Sequence, residues 1–236
     1  LYPFFFMNDI ICAVTAKEKF NNKTELEFQE DPEWHFKWDK DIITYAVKKG
    51  TDDLPGDYPE RLAVNLAMTT WNLEIKPKLK SVKINDSPDI TIEFKDPKDD
   101  EFFKERPSVL AYAYYPKTSK QGIIVFNDDY LWTMDGEPVS GIEYTKRTGK
   151  QANPKNSYKT YNIMHTLIHE IGHSLGLSHS NKCKNCVMFP YYNGSMNLAS
   201  LDIIRIRKKY GIRIFSNWSR YYQLKKWLHG RKLRGL

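Results

Sequence analysis

The chain has 236 residues, of which 41% are hydrophobic and 14% aromatic, a composition that excludes a disordered polymer and indicates a globular domain with a sizeable core. No apolar run reaches the ~18 residues of a membrane-spanning helix, and three cysteines are too few for a disulfide-rich framework. The net charge of +7 lies entirely in residues 212–236, which hold seven basic side chains and no acidic one.

The N-terminal segment, residues 1–35, precedes the first predicted element of the domain. It opens with an apolar stretch over residues 1–16, which Asn8 and Asp9 interrupt, and it continues as a polar stretch. Residues 14–16 read Val-Thr-Ala and have the small side chains of a signal-peptide cleavage site. The segment is interpreted as a signal sequence or a propeptide remnant, followed by a linker.

Periodic apolar residues predict the elements that follow. Residues 57–72 place a row of apolar side chains on one face and predict an amphipathic helix. Alternating or continuous apolar runs predict strands over residues 42–47, 90–94, 109–114 and 122–126. A last helix is predicted over residues 200–210, because Gly211 is a suitable residue to end it.

Two polar stretches interrupt these elements. Residues 95–107 are rich in charge and predict a surface loop. Residues 133–160 contain several lysines and three glycines, and they predict a mobile surface loop. The alternative for this second stretch is a loop that gates access of a substrate to an active site.

The strongest functional signal is an eleven-residue stretch that begins at His169. It reads HEIGHSLGLSH and matches H-E-x-x-H-x-x-G-x-x-H at every fixed position. His169 and His173 are four residues apart, so they lie on one face of a helix that is predicted over residues 158–175. Continuing this helix would point His179 to the wrong side, but Gly176 can adopt the left-handed conformation that ends a helix. The turn then brings His179 back as a third ligand.

Three imidazole ligands leave one coordination position open, which is characteristic of a catalytic zinc site. Zinc lowers the pKa of its bound water to about 7, and Glu170 can take the proton as this water attacks a peptide carbonyl. The sequence thus predicts a metallohydrolase with one catalytic Zn²⁺ held by His169, His173 and His179. Glu170 is its predicted general base, which also delivers the proton to the leaving amine.

The motif is that of the metzincins, in which a Met-turn follows the third histidine. Met188 occupies that place, in the stretch CVMFPYY nine residues after His179. HSLGLSHS followed by VMFPYY closely resembles the matrixins, or matrix metalloproteinases, and the resemblance covers about residues 36–211. It implies a secreted, extracellular zinc endopeptidase of α+β fold. Its twisted, mostly parallel mixed sheet would carry two long helices, and a small C-terminal part would hold the Met-turn and the final helix.

The resemblance also implies how a substrate binds. The stretch VLAYAY, residues 109–114, resembles the matrixin sheet edge beside the cleft, where a peptide adds as an antiparallel strand. The contact residues of that edge are Leu110, Ala111 and Ala113. By the same resemblance His165 lines the S1′ specificity pocket, and Pro190 and Tyr192 match the wall of that pocket.

Several positions depart from the matrixin pattern. Tyr112 and Val125 stand where the family has histidines of a second, structural zinc, and Asn127 and Tyr130 replace acids that bind calcium. We therefore expect one zinc ion per chain and weak or absent calcium sites. Asp202 matches the family's acid that holds the Met-turn.

The three cysteines have separate interpretations. Cys183 and Cys186 form a C-x-x-C pair, for which a local disulfide is favoured, since a second metal site would need further ligands. Cys12 lacks the Pro-Arg-Cys-Gly type of motif found in matrixin propeptides, and we do not expect it to cap the zinc.

Residues 212–236 combine aromatic with basic side chains and are predicted to form a separate tail. A basic amphipathic stretch can lie on an anionic membrane or an acidic polymer, or its apolar face can pack on the protease domain. If the tail carried the function, the domain would be a catalytically inert or weak metzincin scaffold that acts as a binding module through the tail. The favoured function is a monomeric endopeptidase of proteins or peptides, without a specific nucleic-acid partner.

Overall fold

The computed structural model describes residues 11–15, 35–54 and 57–213. The central feature of these residues is a mixed sheet of six strands: β1 (Ile11–Thr15), β2 (Ile42–Lys49), β3 (Lys78–Ser81), β4 (Ile90–Lys95), β5 (Val109–Tyr114) and β6 (Ile123–Asn127). Their order across the sheet is β1-β5-β6-β4-β2-β3. Strands β2, β3, β4 and β6 run parallel, whereas β5 is antiparallel to β6 and β1 is antiparallel to β5. The prediction of a mixed, mostly parallel sheet is confirmed.

The inner strands turn one apolar face toward the core. Ile43 of β2, Ile92 of β4 and Ile124 of β6 are all fully buried in one core. Strand β3 is missing from the sequence prediction because only Leu79 of its four residues is apolar and buried.

The helices are α1 (Asp57–Asn72), α2 (Glu101–Glu105), α3 (Gly141–Thr148), α4 (Ile163–Ser174) and α5 (Ser200–Tyr210), with 3₁₀ turns at Ile84–Asp86 and Pro97–Asp99. The predicted helices at residues 57–72 and 200–210 are confirmed as α1 and α5. Helices α1 and α4 pack against each other. The fully buried Trp71 of α1 links the two helices, because its indole N–H donates to the Ile168 carbonyl of α4 at 2.8 Å.

The stretch 95–107 contains the short capped helix α2 and is not only a loop. The Asp100 carboxylate accepts hydrogen bonds from the backbone N–H groups of Phe102 and Phe103, which begins α2. Phe103 is fully buried. The prediction of a surface loop is wrong for residues 101–105, because one aspartate cap and one buried aromatic side chain suffice to order a single turn.

The stretch 133–160 is also folded, contrary to the prediction of a mobile loop. Helix α3 begins at the Ser140 side-chain cap and ends at Gly149, which has φ of 67°. Short strand pairs close the stretch at both ends: β8 (Val139–Ser140) with β9 (Ser157–Tyr158), and β7 (Trp132–Thr133) with β10 (Tyr161–Asn162).

Helix α4 begins at Ile163, five residues later than the predicted start at residue 158. The Asn162 side chain accepts from the His165 backbone N–H at 3.1 Å and caps the helix. Residues 157–158 and 161–162 belong to the short strands instead. Hydrophobic periodicity continues across this boundary, so the sequence alone does not mark it.

No helix in the described ranges combines the length and the apolarity that crossing a bilayer requires. Most of residues 1–35 and nearly all of residues 212–236 lie outside the described residues. Two interpretations therefore stay predictions: residues 1–35 as a signal or propeptide segment, and residues 212–236 as a basic binding tail.

One buried acid makes the stability of the fold depend on pH. Burial, together with the nearby Asp128 carboxylate, raises the pKa of Asp53 from 3.8 to about 6. Asp53 accepts from the Trp132 backbone N–H at 2.8 Å. Because the folded chain holds this proton more tightly than the unfolded chain, the contribution of Asp53 to stability is present below about pH 4 and is lost as the pH rises to about 6.

The Asp53→Asn variant keeps the acceptor for Trp132 but carries no charge. We expect it to be more stable than the wild type at pH 7 by about 1–2 kcal/mol, a value reduced for the partial exposure of Asp53, and equally stable at pH 4. Denaturant unfolding at both pH values measures this difference. The exposed neighbour Asp52 gives the control Asp52→Asn. A difference that is the same at both pH values would contradict the assignment.

Candidate active site

Helix α4 carries the first two histidines of the motif on one buried face. The His169 and His173 rings are fully buried, and their Nε2 atoms lie 2.9 Å apart. One helical turn therefore brings two imidazole nitrogens to a common point, as the four-residue spacing predicts.

The turn after α4 returns the third histidine to the same point. Gly176 has φ of 89°, and the Leu177 N–H bonds to the Gly172 carbonyl at 2.9 Å, which closes the end of the helix. The His179 Nε2 then lies 3.2 Å from the His169 Nε2. One ligand atom from each of the three histidines falls within 4.8 Å of the others.

Backbone carbonyls orient the His169 and His173 rings. The His169 Nδ1 donates to the Val187 carbonyl, and the His173 Nδ1 donates to the Leu177 carbonyl, each at 2.6 Å. Since a carbonyl only accepts, the hydrogen must be on Nδ1, which leaves the Nε2 lone pair facing the shared point.

Burial keeps these imidazoles neutral. Desolvation lowers the pKa of His169 and His173 well below the ordinary value, and it lowers the pKa of His179 to about 4. Neutral imidazoles with converging Nε2 atoms are the form that binds zinc. The three residues therefore fit a tetrahedral zinc ion with one position left for a further ligand. Glu170 follows His169 on α4 and is fully buried.

The predicted Met-turn lies directly against α4. Met188 is fully buried, and a Cβ added to Gly172 would collide with its sulfur and meet Trp71 at 2.9 Å. Only glycine therefore fits between the two histidines of the helix. The fully buried Asp202 holds the turn by accepting from the N–H groups of Val187 at 3.0 Å and Met188 at 3.4 Å.

A disulfide precedes this turn. Cys183 and Cys186 are bonded, in agreement with the favoured interpretation of the C-x-x-C pair. The stretch between the third histidine and Met188 is thereby closed into a short loop.

The residues assigned to the specificity pocket lie together beside the first ligand. His165 is fully buried, its Nδ1 donates to the Ser195 carbonyl at 2.7 Å, and its ring meets Tyr192 edge-on at 4.7 Å. Burial lowers the pKa of His165 to about 4. The Tyr192 hydroxyl accepts from the Asn162 N–H at 2.9 Å, and Pro190 is half-buried. Ser195 and Asn162 are absent from the sequence prediction, because the groups that contact His165 Nδ1 and Tyr192 are main-chain atoms, which no side-chain pattern marks.

The sequence model of the matrixin family matches residues 37–211, which is most of the chain and the whole of the site just described. The chain belongs to the matrixin family. Matrixins are zinc metalloendopeptidases, and the three-histidine cluster of this chain could hold a metal ion.

Individual relatives agree with this assignment. Matrilysin of Homo sapiens is 33% identical over 183 residues, which cover 75% of this chain and 60% of that protein. Stromelysin-1 of Equus caballus is 32% identical over 182 residues, 74% of this chain and 33% of that protein. Macrophage metalloelastase of Oryctolagus cuniculus is 31% identical over 192 residues, 75% of this chain and 36% of that protein. The chain thus spans less than two thirds of each of these relatives.

In this matrixin, β5 is not an edge strand, so that part of the prediction is wrong. Leu110, Ala111 and Ala113 of β5 are fully buried, and β1 pairs along the strand. Cys12 lies opposite Ala113, and the register shifts after Val14. An open strand edge pairs with any extended chain, whatever its sequence, so a segment of the same chain can occupy it.

The positions that depart from the matrixin pattern have structural roles of their own. The Tyr112 hydroxyl donates to the Asp100 carboxylate at 2.8 Å, and Val125 is buried in a second apolar cluster with Phe103. Asn127 donates through its side chain to the Val109 carbonyl at 3.1 Å, and the Tyr130 hydroxyl donates to the Pro107 carbonyl at 2.8 Å. The absence of a second zinc and of calcium sites at these positions stays a prediction.

Proposed function

We propose that this matrixin is a zinc-dependent endopeptidase in which Glu170 is the general base. The observation that carries the proposal is the convergence of three neutral histidine nitrogens within 4.8 Å, beside a fully buried carboxylate on the same helix. Structural zinc sites use four protein ligands, whereas three ligands and a nearby carboxylate are the arrangement of a hydrolase.

His169, His173 and His179 would hold the zinc, which would supply a Lewis acid and lower the pKa of the attacking water to about 7. Glu170 takes a proton from the attacking water, whose oxygen bonds to the carbonyl carbon of the substrate. Glu170 then gives the proton to the amine as the peptide C–N bond breaks. The Val187 and Leu177 carbonyls keep His169 and His173 oriented throughout, since each accepts from a ring Nδ1.

We further propose that the substrate binds as an extended strand along β5, with one side chain in a pocket beside His165. Backbone pairing of this kind accepts peptides of varied sequence, and the pocket supplies the selectivity. The buried His165 ring meets the Tyr192 ring edge-on, and the two rings are proposed to form one end of the pocket. It is therefore proposed to accept Leu, Ile or Met in preference to long aromatic side chains.

The wider setting of the protein follows from the same proposal. A matrixin that acts on proteins is proposed to work outside the cell, as a secreted monomer. Contact with anionic polymers or membranes through residues 212–236 stays a prediction, because this tail lies outside the described residues apart from its first two positions.

Turnover of an internally quenched peptide by the full chain tests the proposed function. Hydrolysis that requires both zinc and Glu170 supports it. A chain that binds zinc at the three histidines without hydrolysing any peptide would instead support the alternative of an inert scaffold.

Strand β1 occupies the edge on which the substrate is proposed to bind. Its five residues pair antiparallel with β5, and it also lies beside α4. A peptide substrate and β1 therefore compete for the same backbone groups of β5. Because β1 is tethered, it competes at an effective concentration of roughly millimolar.

The Ala13→Pro variant should weaken this competition, because proline removes a backbone donor from the middle of β1. We expect kcat/KM for a quenched peptide to rise by roughly tenfold, with kcat at saturating substrate unchanged. The control Ala13→Val keeps the donor and favours a strand, so it should behave like the wild type. If both variants show the wild-type kcat/KM, β1 does not obstruct the substrate.

A further inference from the structure

The turn between the second and third histidines, residues 174–178, accepts hydrogen bonds from parts of the chain that are far away in sequence. We call it the ligand turn. The end of a helix leaves carbonyl groups without helical partners, and two of these belong to the ligand turn. The Ser174 carbonyl accepts from the Trp38 indole at 2.8 Å, and the Leu175 carbonyl accepts from the Tyr210 hydroxyl at 3.0 Å.

Tyr210 lies at the centre of these hydrogen bonds. Its hydroxyl donates to Leu175 and also accepts from the Trp38 backbone N–H at 3.0 Å, so one atom joins α5, the ligand turn and the stretch before β2. The adjacent Lys209 is also buried, and its ammonium donates to the Phe36 carbonyl at 3.2 Å. That same carbonyl lies where a Cβ on Gly176 would be.

A row of aromatic rings connects Phe36 to the His173 ring. The Phe36 ring stacks on Tyr115 with centroids 5.3 Å apart, and Tyr115 meets the His173 ring edge-on at 5.8 Å. Both Phe36 and Tyr115 are buried. Tyr115 therefore packs against the His173 ring, and Phe36 packs against Tyr115.

The C-terminal half of the ligand turn is held from α5 as well. The Arg205 guanidinium donates to the Ser178 carbonyl at 3.0 Å and to its hydroxyl at 2.9 Å, one residue before His179. The Leu177 carbonyl is the acceptor for the His173 Nδ1. A displacement of the ligand turn would thus move His179 and disturb the hydrogen bond of His173 together.

We propose that Tyr210 is a positioning residue for the metal centre, which acts by fixing the ligand turn from which His173 and His179 are oriented. The inference rests on the proposed function, since it assumes that the three histidines hold zinc. Groups that orient the ligands of a metal commonly change its affinity by about 10–100-fold, although they never touch it.

The Tyr210→Phe variant tests the inference, because it keeps the ring and removes only the hydroxyl. We expect its zinc affinity to fall by about tenfold in competition with a chromophoric chelator. We also expect the visible spectrum of the Co²⁺-substituted protein to differ from that of the wild type, and kcat to fall while KM is unchanged.

The matched control is Tyr45→Phe. Tyr45 is also a buried tyrosine, and its hydroxyl donates to the Asn65 side chain at 3.0 Å, between β2 and α1. We expect it to lower the thermal midpoint about as much as Tyr210→Phe does, with the zinc affinity and the Co²⁺ spectrum unchanged. If the two variants match in zinc affinity and spectrum, the Tyr210 hydroxyl only stabilises the fold and the inference is overturned.

A second variant covers the case in which Tyr210→Phe does not fold. Trp38→Phe removes the indole donor to the Ser174 carbonyl and should weaken zinc binding in the same direction. Wild-type zinc affinity in Trp38→Phe would then overturn the inference. Metal affinity and the Co²⁺ spectrum need no turnover, so these results hold even if no peptide is hydrolysed.

Discussion

The Glu170→Ala variant is expected to bind zinc like the wild type and to hydrolyse peptides about 10²–10⁴-fold more slowly. Its three histidine ligands and their carbonyl partners are untouched. What it loses is the group that moves the proton from water to the leaving amine. The initial rate on a quenched peptide, measured together with the zinc content of the same sample, gives both quantities.

Glu93→Ala is the control for removing a buried carboxylate. Glu93 lies in β4 and pairs with Lys48 at 2.8 Å and Lys95 at 3.2 Å, so its loss affects stability rather than the proton transfer. We expect this variant to keep the wild-type rate per folded molecule. A Glu170→Ala rate within a few-fold of the wild type would refute the role of Glu170 as general base.

Asp202→Ala is expected to have the largest effect on stability. The carboxylate accepts from the backbone N–H groups of Val187, Met188 and Ala199, and the residue is fully buried. Removing it leaves these donors without an acceptor, which costs about 3–5 kcal/mol of the free energy of unfolding. Denaturant unfolding of the zinc-loaded chain measures this loss.

The same substitution should also weaken zinc binding. Val187 connects Asp202 to the metal ligands, because its N–H donates to Asp202 while its carbonyl accepts from His169. Asp86→Ala is the control: this exposed acid caps one backbone N–H, at Lys83, and its loss should cost less than about 1 kcal/mol. If Asp202→Ala unfolds at the wild-type denaturant concentration, Asp202 does not hold the Met-turn.

The sequence alone determines the local part of the site. Two histidines four residues apart share a helix face, and the glycine after them permits the turn that the third histidine requires. Both features depend on a few neighbouring residues, so the convergence of His169, His173 and His179 could be predicted without the rest of the chain. Helix α1 was predictable for a related reason, since its apolar residues recur at helical spacing, and Gly211 marks the end of α5.

The folded stretch 133–160 was not predictable from composition. Its polar residues favour a loop, whereas its order comes from one helix cap and from strand pairs that close it at both ends. Pairing between distant backbones has no signature in a polar sequence. For the same reason the sequence does not show that β1 covers β5, because an open strand edge accepts any extended segment.

Only the tertiary structure decides what holds the histidines in place. The partners of the ring Nδ1 atoms are main-chain carbonyls, which every residue has, so no side-chain pattern marks Val187 or Leu177. Gly172 is required because Met188 and Trp71 pack against it, and Phe36 matters because it stacks on Tyr115. The ligands follow from short-range helix geometry, whereas their support comes from contacts between segments that only the fold brings together.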